Sequence, residues 1–144
     1  MLGGATLFAG AAAAAYPVPL RRWLLTWGAR RDEFGRGHLL VEESLVWFEQ
    51  CYQADGHDWR YSPMLKSQGG MPPTLVQTAS LDPIRDQGRA YAAACAEAGV
   101  PVVFREAKGN IHGFINLRRA IPSSEEDIRG AVEALKLILG EVSR

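Results

Sequence analysis

Two side chains in this sequence stand where they could share a proton. Asp82 ends the apolar run Thr74-Leu75-Val76-Gln77-Thr78-Ala79-Ser80-Leu81. His112 follows a second run that begins Val100-Pro101-Val102-Val103-Phe104 and lies in Gly109-Asn110-Ile111-His112-Gly113-Phe114. An imidazole titrates near pH 6.5, so at neutral pH it can take a proton from a hydroxyl and return it. A carboxylate beside it selects the ring tautomer and stabilises the imidazolium that forms. Together they are the base and the acid that activate a serine nucleophile. Such a serine is commonly presented on a Gly-x-Ser-x-Gly turn. No such pentapeptide occurs in these 144 residues.

Each residue also has a plainer reading. Asp82-Pro83 is a good helix start by itself, with Asp as N-cap and Pro as first helical residue. A lone His112 reads as a loop histidine, and His38 and His57 have no partner pattern and read as surface residues. Asp86 suits a solvent-facing first helical turn, where the helix dipole favours an acid.

The elements that must position the pair can be read from periodicity. Glu42 to Ala54 reads as an amphipathic helix with Leu45, Val46, Phe48, Cys51 and Tyr52 on one apolar face. Trp47, Phe48 and Tyr52 are expected to pack in the core or under a cap. Pro72-Pro73 introduces a strand over 74–79 whose continuous apolar character suits a parallel strand covered on both faces. A helix over 84–98 follows, closed by Gly99. Its many alanines suit close packing on a sheet, and Gly88 within it suggests close approach. A strand is expected over 100–105, then a loop over 106–118. Ser123 and Glu126 form a capping box for a last helix that buries Ile128, Val132, Leu135, Leu139 and Val142. Strand, helix, strand, helix in that order implies an α/β fold with a parallel sheet.

Composition narrows the function. Lys plus Arg number 16 and Asp plus Glu number 16, so net charge gives no argument for nucleic acid or an anionic membrane as partner. No metal or nucleotide signature appears, and no cofactor is expected. Cys51 and Cys95 lack metal-type spacing; both are expected to be buried free thiols, which fits a cytoplasmic protein. The segment from Met1 to Ala15 is apolar but too short to span a bilayer, which takes about 20 residues. It also lacks the basic opening of a secretory signal. Residues 1–31, with their alanine runs and Arg21, Arg22, Arg30 and Arg31, differ in character from 32–144, which read as one domain portion.

Residues 33–144 resemble the C-terminal part of the hormone-sensitive-lipase-like group of α/β-hydrolases. The resemblance rests on Phe34-Gly35-Arg36-Gly37 before a helix, Ser62-Pro63, Pro72-Pro73-Thr74-Leu75-Val76 and Leu81-Asp82-Pro83-Ile84-Arg85-Asp86-Gln87-Gly88. Ala98-Gly99-Val100-Pro101-Val102 and Ile111-His112-Gly113-Phe114 complete it. Single pieces are weak; their order and spacing together are specific. The resemblance implies a carboxylic ester hydrolase with Asp82 as triad acid and His112 as triad base, acting on a small acyl ester. It also implies that Tyr16-Pro17-Val18 is a remnant of the strand before the cap segment.

The group's His-Gly-Gly oxyanion loop and its nucleophile turn have no match here. Gly3-Gly4 could stand just after a lost serine, although the distance to Tyr16 is short for that. Truncation is the simplest account, with a chain inactive alone and an exposed sheet edge that invites self-association. Two alternatives stay open: a nucleophile supplied by a separate polypeptide, or a non-catalytic small-molecule-binding or interaction protein built on the same fold.

Overall fold

The structure, a computed structural model, describes residues 6–9, 32–53 and 55–142, with side chains from 32–53 and 55–140. Its elements in chain order are β1 (Thr6–Ala9), α1 (Glu42–Tyr52), a 3-10 turn (Pro63–Leu65), β2 (Thr74–Leu81), α2 (Arg85–Glu97), β3 (Val102–Ile111) and α3 (Ser124–Val142). The three strands form one parallel sheet in the order β1-β2-β3. Part of residues 1–31 thus joins the sheet through β1. The readings of Tyr16-Pro17-Val18, Ala54 and the Val142 side chain fall outside the described residues.

Strand β2 is the centre of the molecule. From Thr74 to Ala79 every residue is buried, as expected of a strand covered on both faces. Val76 faces α2 and packs with Tyr91, Ala92, Cys95 and Val100. Leu75 faces the other way, onto Ala131, Ala134 and Ile138 of α3. Helix α2 sits very close to the sheet: a Cβ built on Gly88 would lie 2.5 Å from the Thr78 methyl. Its end is a Schellman motif, with Gly99 at φ +77°. The Gly99 N–H donates to Ala96 O and the Val100 N–H to Cys95 O, both at 3.0 Å. Burial pushes the Cys95 thiol and the Tyr91 phenol above their ordinary values.

Three expectations need correction. Strand β3 does not stop at Arg105 but runs on to Ile111. Its register against β2 shifts, from Ala79 opposite Ala107 to Leu81 opposite Ile111. β2 advances by two residues while β3 advances by four, so β3 carries a bulge of two extra residues. The second correction concerns α1. Only Leu45 of this helix is buried, against Leu40 and Ile84. Trp47, Phe48 and Tyr52 are 50–69% exposed, and Val46 and Cys51 are exposed too, so Cys95 alone is the buried thiol. The aromatics meet one another instead, Trp47 tilted against Phe48 and Tyr52 stacked on Tyr61. The third concerns α3, whose expected face holds only in part: Ile128 and Leu135 pack partly buried against the core. Ala131, Ala134 and Ile138 are buried, while Val132 and Leu139 are exposed.

The loop after α1 is organised by Asp58, whose carboxylate takes a forked pair of bonds from Arg60. These bonds lower its pKa to about 2. Among the described residues no helix is long and apolar enough to cross a membrane.

Candidate active site

The two strand ends bring the sequence-derived pair together. Asp82 follows β2 directly and is 2% exposed. One carboxylate oxygen accepts the Ile84 N–H at 3.0 Å, and the Asp82 carbonyl accepts the Arg85 N–H at 3.1 Å. Asp82 thus holds the start of α2 by its side chain and its backbone. The other carboxylate oxygen lies 2.8 Å from His112 Nδ1. The turn into α2 and the pairing use different oxygens; the expected N-cap role falls to Ile84 instead, with Arg85 as first helical residue. The His112 side chain is 29% exposed against 3% for that of Asp82. The acid is therefore sealed, while the base reaches a surface.

That surface is a cleft of about 130 Å³, lined by Gln77, Ala79, Asp82, His112, Gly113, Phe114, Ile115 and Asn116. The chain turns sharply after β3, with Phe114 N–H donating to Ile111 O and Gly113 at φ +74°. Phe114 is buried against Ala79 and Ala107, which anchors the turn. With Nδ1 held by the carboxylate, Nε2 is the ring nitrogen left to accept a proton. Among the described residues no three His, Cys, Asp or Glu side chains gather to hold a metal ion.

The remaining histidines stay apart from this pair. His38 Nδ1 lies 2.8 Å from Arg36 O, and His57 is exposed. Asp86 is half-open to solvent but not idle: it bonds Arg85 and Arg89.

Several residues around the site escaped sequence reading. Ser80 Oγ accepts the Gly109 N–H at 2.8 Å, and the Ser80 carbonyl accepts a bond from the buried Arg85 guanidinium. Asn110 is 1% exposed, with both ends of its amide engaged. A polar residue at the end of an apolar strand was the available signal for both. Leu39 gave none. It sits at φ +70°, a conformation that a non-glycine residue adopts only when its surroundings impose it. A Cβ on Gly113 would lie 4.0 Å from the Leu39 side chain, so this strained residue stands beside the His112 turn.

Comparison with known proteins places this geometry. A family described as the α/β-hydrolase fold matches residues 10–116. The carboxylic ester hydrolase LipN of Mycobacterium tuberculosis is 34% identical over 140 residues, covering 88% of this chain and 37% of LipN. Ethyl acetate hydrolase of Pseudomonas putida is 38% identical over 109 residues, covering 73% of this chain and 34% of that enzyme. Among solved structures, the thermostable carboxylesterase EstE1, cloned from a metagenomic library, superposes with a TM-score of 0.72 at 30% identity, over 89% of this chain and 42% of EstE1. This chain therefore spans little more than a third of the length of the curated relatives it matches. A parallel sheet whose neighbouring strand ends pair a buried acid with a half-open histidine accords with that likeness, and the chain belongs to the hormone-sensitive-lipase-like group of the α/β-hydrolase family.

Proposed function

We propose that this chain supplies the acid and the base of a serine-type carboxylic ester hydrolase, Asp82 and His112. The 2.8 Å contact between His112 Nδ1 and Asp82 supports this reading most directly. In the proposed reaction a serine hydroxyl gives its proton to His112 Nε2 as its oxygen attacks the ester carbonyl. The alkoxide of the ester then leaves with that proton. The resulting acyl-serine is opened by water through the same relay. Asp82 stays ionised and keeps the ring in the tautomer that presents Nε2.

Neither a nucleophile turn nor an oxyanion loop occurs in the 144 residues. We place both on polypeptide that pairs with β1, which has a strand neighbour on one side only among the described residues. The oxyanion donors matter as much as the serine, since losing one costs about 100-fold or more in turnover. The free thiols of Cys51 and Cys95 fit a reducing compartment.

The test is hydrolysis of p-nitrophenyl butyrate by the 144-residue chain. It is measured alone and after co-expression with a polypeptide bearing the Gly-x-Ser-x-Gly turn of a related esterase. The expected result is no turnover above the His112→Ala variant when alone, and His112-dependent turnover in the copurified pair. Turnover that survives His112→Ala in the pair would sink the acid–base assignment. His112-dependent turnover by the chain alone would place the nucleophile within these residues.

A further inference from the structure

We infer that Asn110 is a positioning residue for His112, acting with Asp127 and Ser123 from the start of α3; this rests on the acid–base reading of Asp82 and His112. The need for such a residue follows from the bulge in β3. Between Ala107 and Ile111 the ladder to β2 is out of step, so backbone pairing does not hold Lys108, Gly109 and Asn110. These residues immediately precede the segment that carries the imidazole. The ladder resumes at Ile111 opposite Leu81, so the path of the bulge decides how the strand arrives at that pair and how the side chains after it are aimed.

Two side-chain clamps stand there in place of the ladder. On one side Gly109, at φ +73°, donates its N–H to Ser80 Oγ at 2.8 Å, tying β3 to the end of β2 just before Asp82. On the other side Asn110 Nδ2 donates to Asp127 Oδ2 at 2.8 Å, and Ser123 Oγ donates to Asn110 Oδ1 at 3.3 Å. The amide can face only one way. A carboxylate only accepts, so the NH₂ end must meet Asp127, which leaves the carbonyl end for the serine hydroxyl. Asp127 belongs to the acidic first turn of α3, where the helix dipole favours its charge. Asn110 is 1% exposed, so its amide is left without partners if these part-buried bonds are lost. His112, two residues on, is held to Asp82 by one bond at 2.8 Å. The Leu81–Ile111 pair and the buried Phe114 hold the segment on either side of His112, and Asn110 sets the path of the bulge that leads into it.

The experiment is nitrogen-15 NMR of the imidazole side chains in the folded chain, at a pH where the rings are neutral. In the wild type the His112 proton is expected on Nδ1, facing Asp82. Asn110→Leu keeps the approximate size but removes both bonds; it should shift His112 towards the Nε2–H tautomer of free imidazole. Asp127→Ala should do the same. Asp127→Asn should restore the wild-type spectrum, because its amide oxygen can accept the same bond. Circular dichroism establishes that each variant is folded, and the Asp127 pair decides if Asn110→Leu is not. A wild-type His112 tautomer in folded Asn110→Leu and Asp127→Ala would overturn the inference. If His112 in the wild type is indistinguishable from that in Asp82→Asn, the underlying pair reading falls, and the positioning role falls with it.

Discussion

Asp82→Asn should abolish ester hydrolysis by the completed enzyme while leaving the fold almost untouched. The reason lies in how the two carboxylate oxygens are used. One accepts the Ile84 N–H and the other faces His112 Nδ1. An asparagine has a single oxygen. An Asn oxygen accepts the backbone N–H two residues on as an Asp oxygen does, so it stays on the Ile84 amide. The NH₂ group is then turned towards His112 Nδ1, which must become an acceptor. The ring proton moves to Nε2, and the nitrogen that should take the serine proton no longer can. The analogous exchange in the chymotrypsin-like template costs about 10⁴-fold in kcat, and a loss of that order is expected here. Stability should change little. Asp82→Ala would add the loss of that turn bond, about 1 kcal/mol. The measurements are turnover of p-nitrophenyl butyrate by the serine-supplemented protein and thermal melts of the chain. Full activity in Asp82→Asn would show that the carboxylate does not select the tautomer.

Leu75→Ala should be the most destabilising simple truncation. Leu75 is fully buried and packs on Ala131, Ala134 and Ile138. Two of those three partners are alanines, whose single methyl groups cannot swing into the space left behind, so only the partly buried Val103 and Leu135 could lean in. Whatever part of the cavity they do not fill stays open, and such sites lose about 2–5 kcal/mol. A domain of this size loses roughly 2–4 °C in Tm per kcal/mol, so a fall of about 4–20 °C is expected. Leu137, 71% exposed on the same stretch of helix, provides the control; Leu137→Ala should stay within about 0.5 kcal/mol of the wild type. Equal melting of the two variants would contradict this account of the core.

The elements most legible in the sequence were those with hard punctuation. Pro72-Pro73 and Asp82-Pro83 bracket β2, and Gly99 closes α2, so local chemistry alone sets their ends. Asp82 was legible because it ends an apolar run, whereas His112 lies well past Phe104 and drew its role from the resemblance carried by Ile111-His112-Gly113-Phe114. The far half of β3 was not. Glu106, Lys108, Gly109 and Asn110 read as loop residues, and the strand persists there through side-chain bonds to Ser80 and Asp127 rather than through apolar pattern. The face of α3 was legible in part. Val132, Leu135 and Leu139 share a helical spacing with each other, and so do Ala131, Ala134 and Ile138. The inward surface takes all of the second set and, from the first, Leu135, while Val132 and Leu139 turn outward. In α1 the apolar period exists, but Leu45 is the only side chain of that helix that meets a core. Periodicity reports a face and not what covers it.

The pairing register also orders the assembly of the sheet in time. Thr74 pairs with Val102 on one side and with Thr6 on the other. The first contact closes 28 residues (102 − 74) and the second 68 (74 − 6). Logarithmic loop-closure entropy makes the longer closure costlier by about 0.8 kcal/mol. Its reward is small as well, since β1 brings four residues of pairing. The unit β2–α2–β3 should therefore condense first and serve as the template on which β1 is laid down. Conservative substitutions in Val76 and Val103 should slow refolding, and those in residues 6–9 should mainly speed unfolding. The reverse pattern would make β1 part of the nucleus.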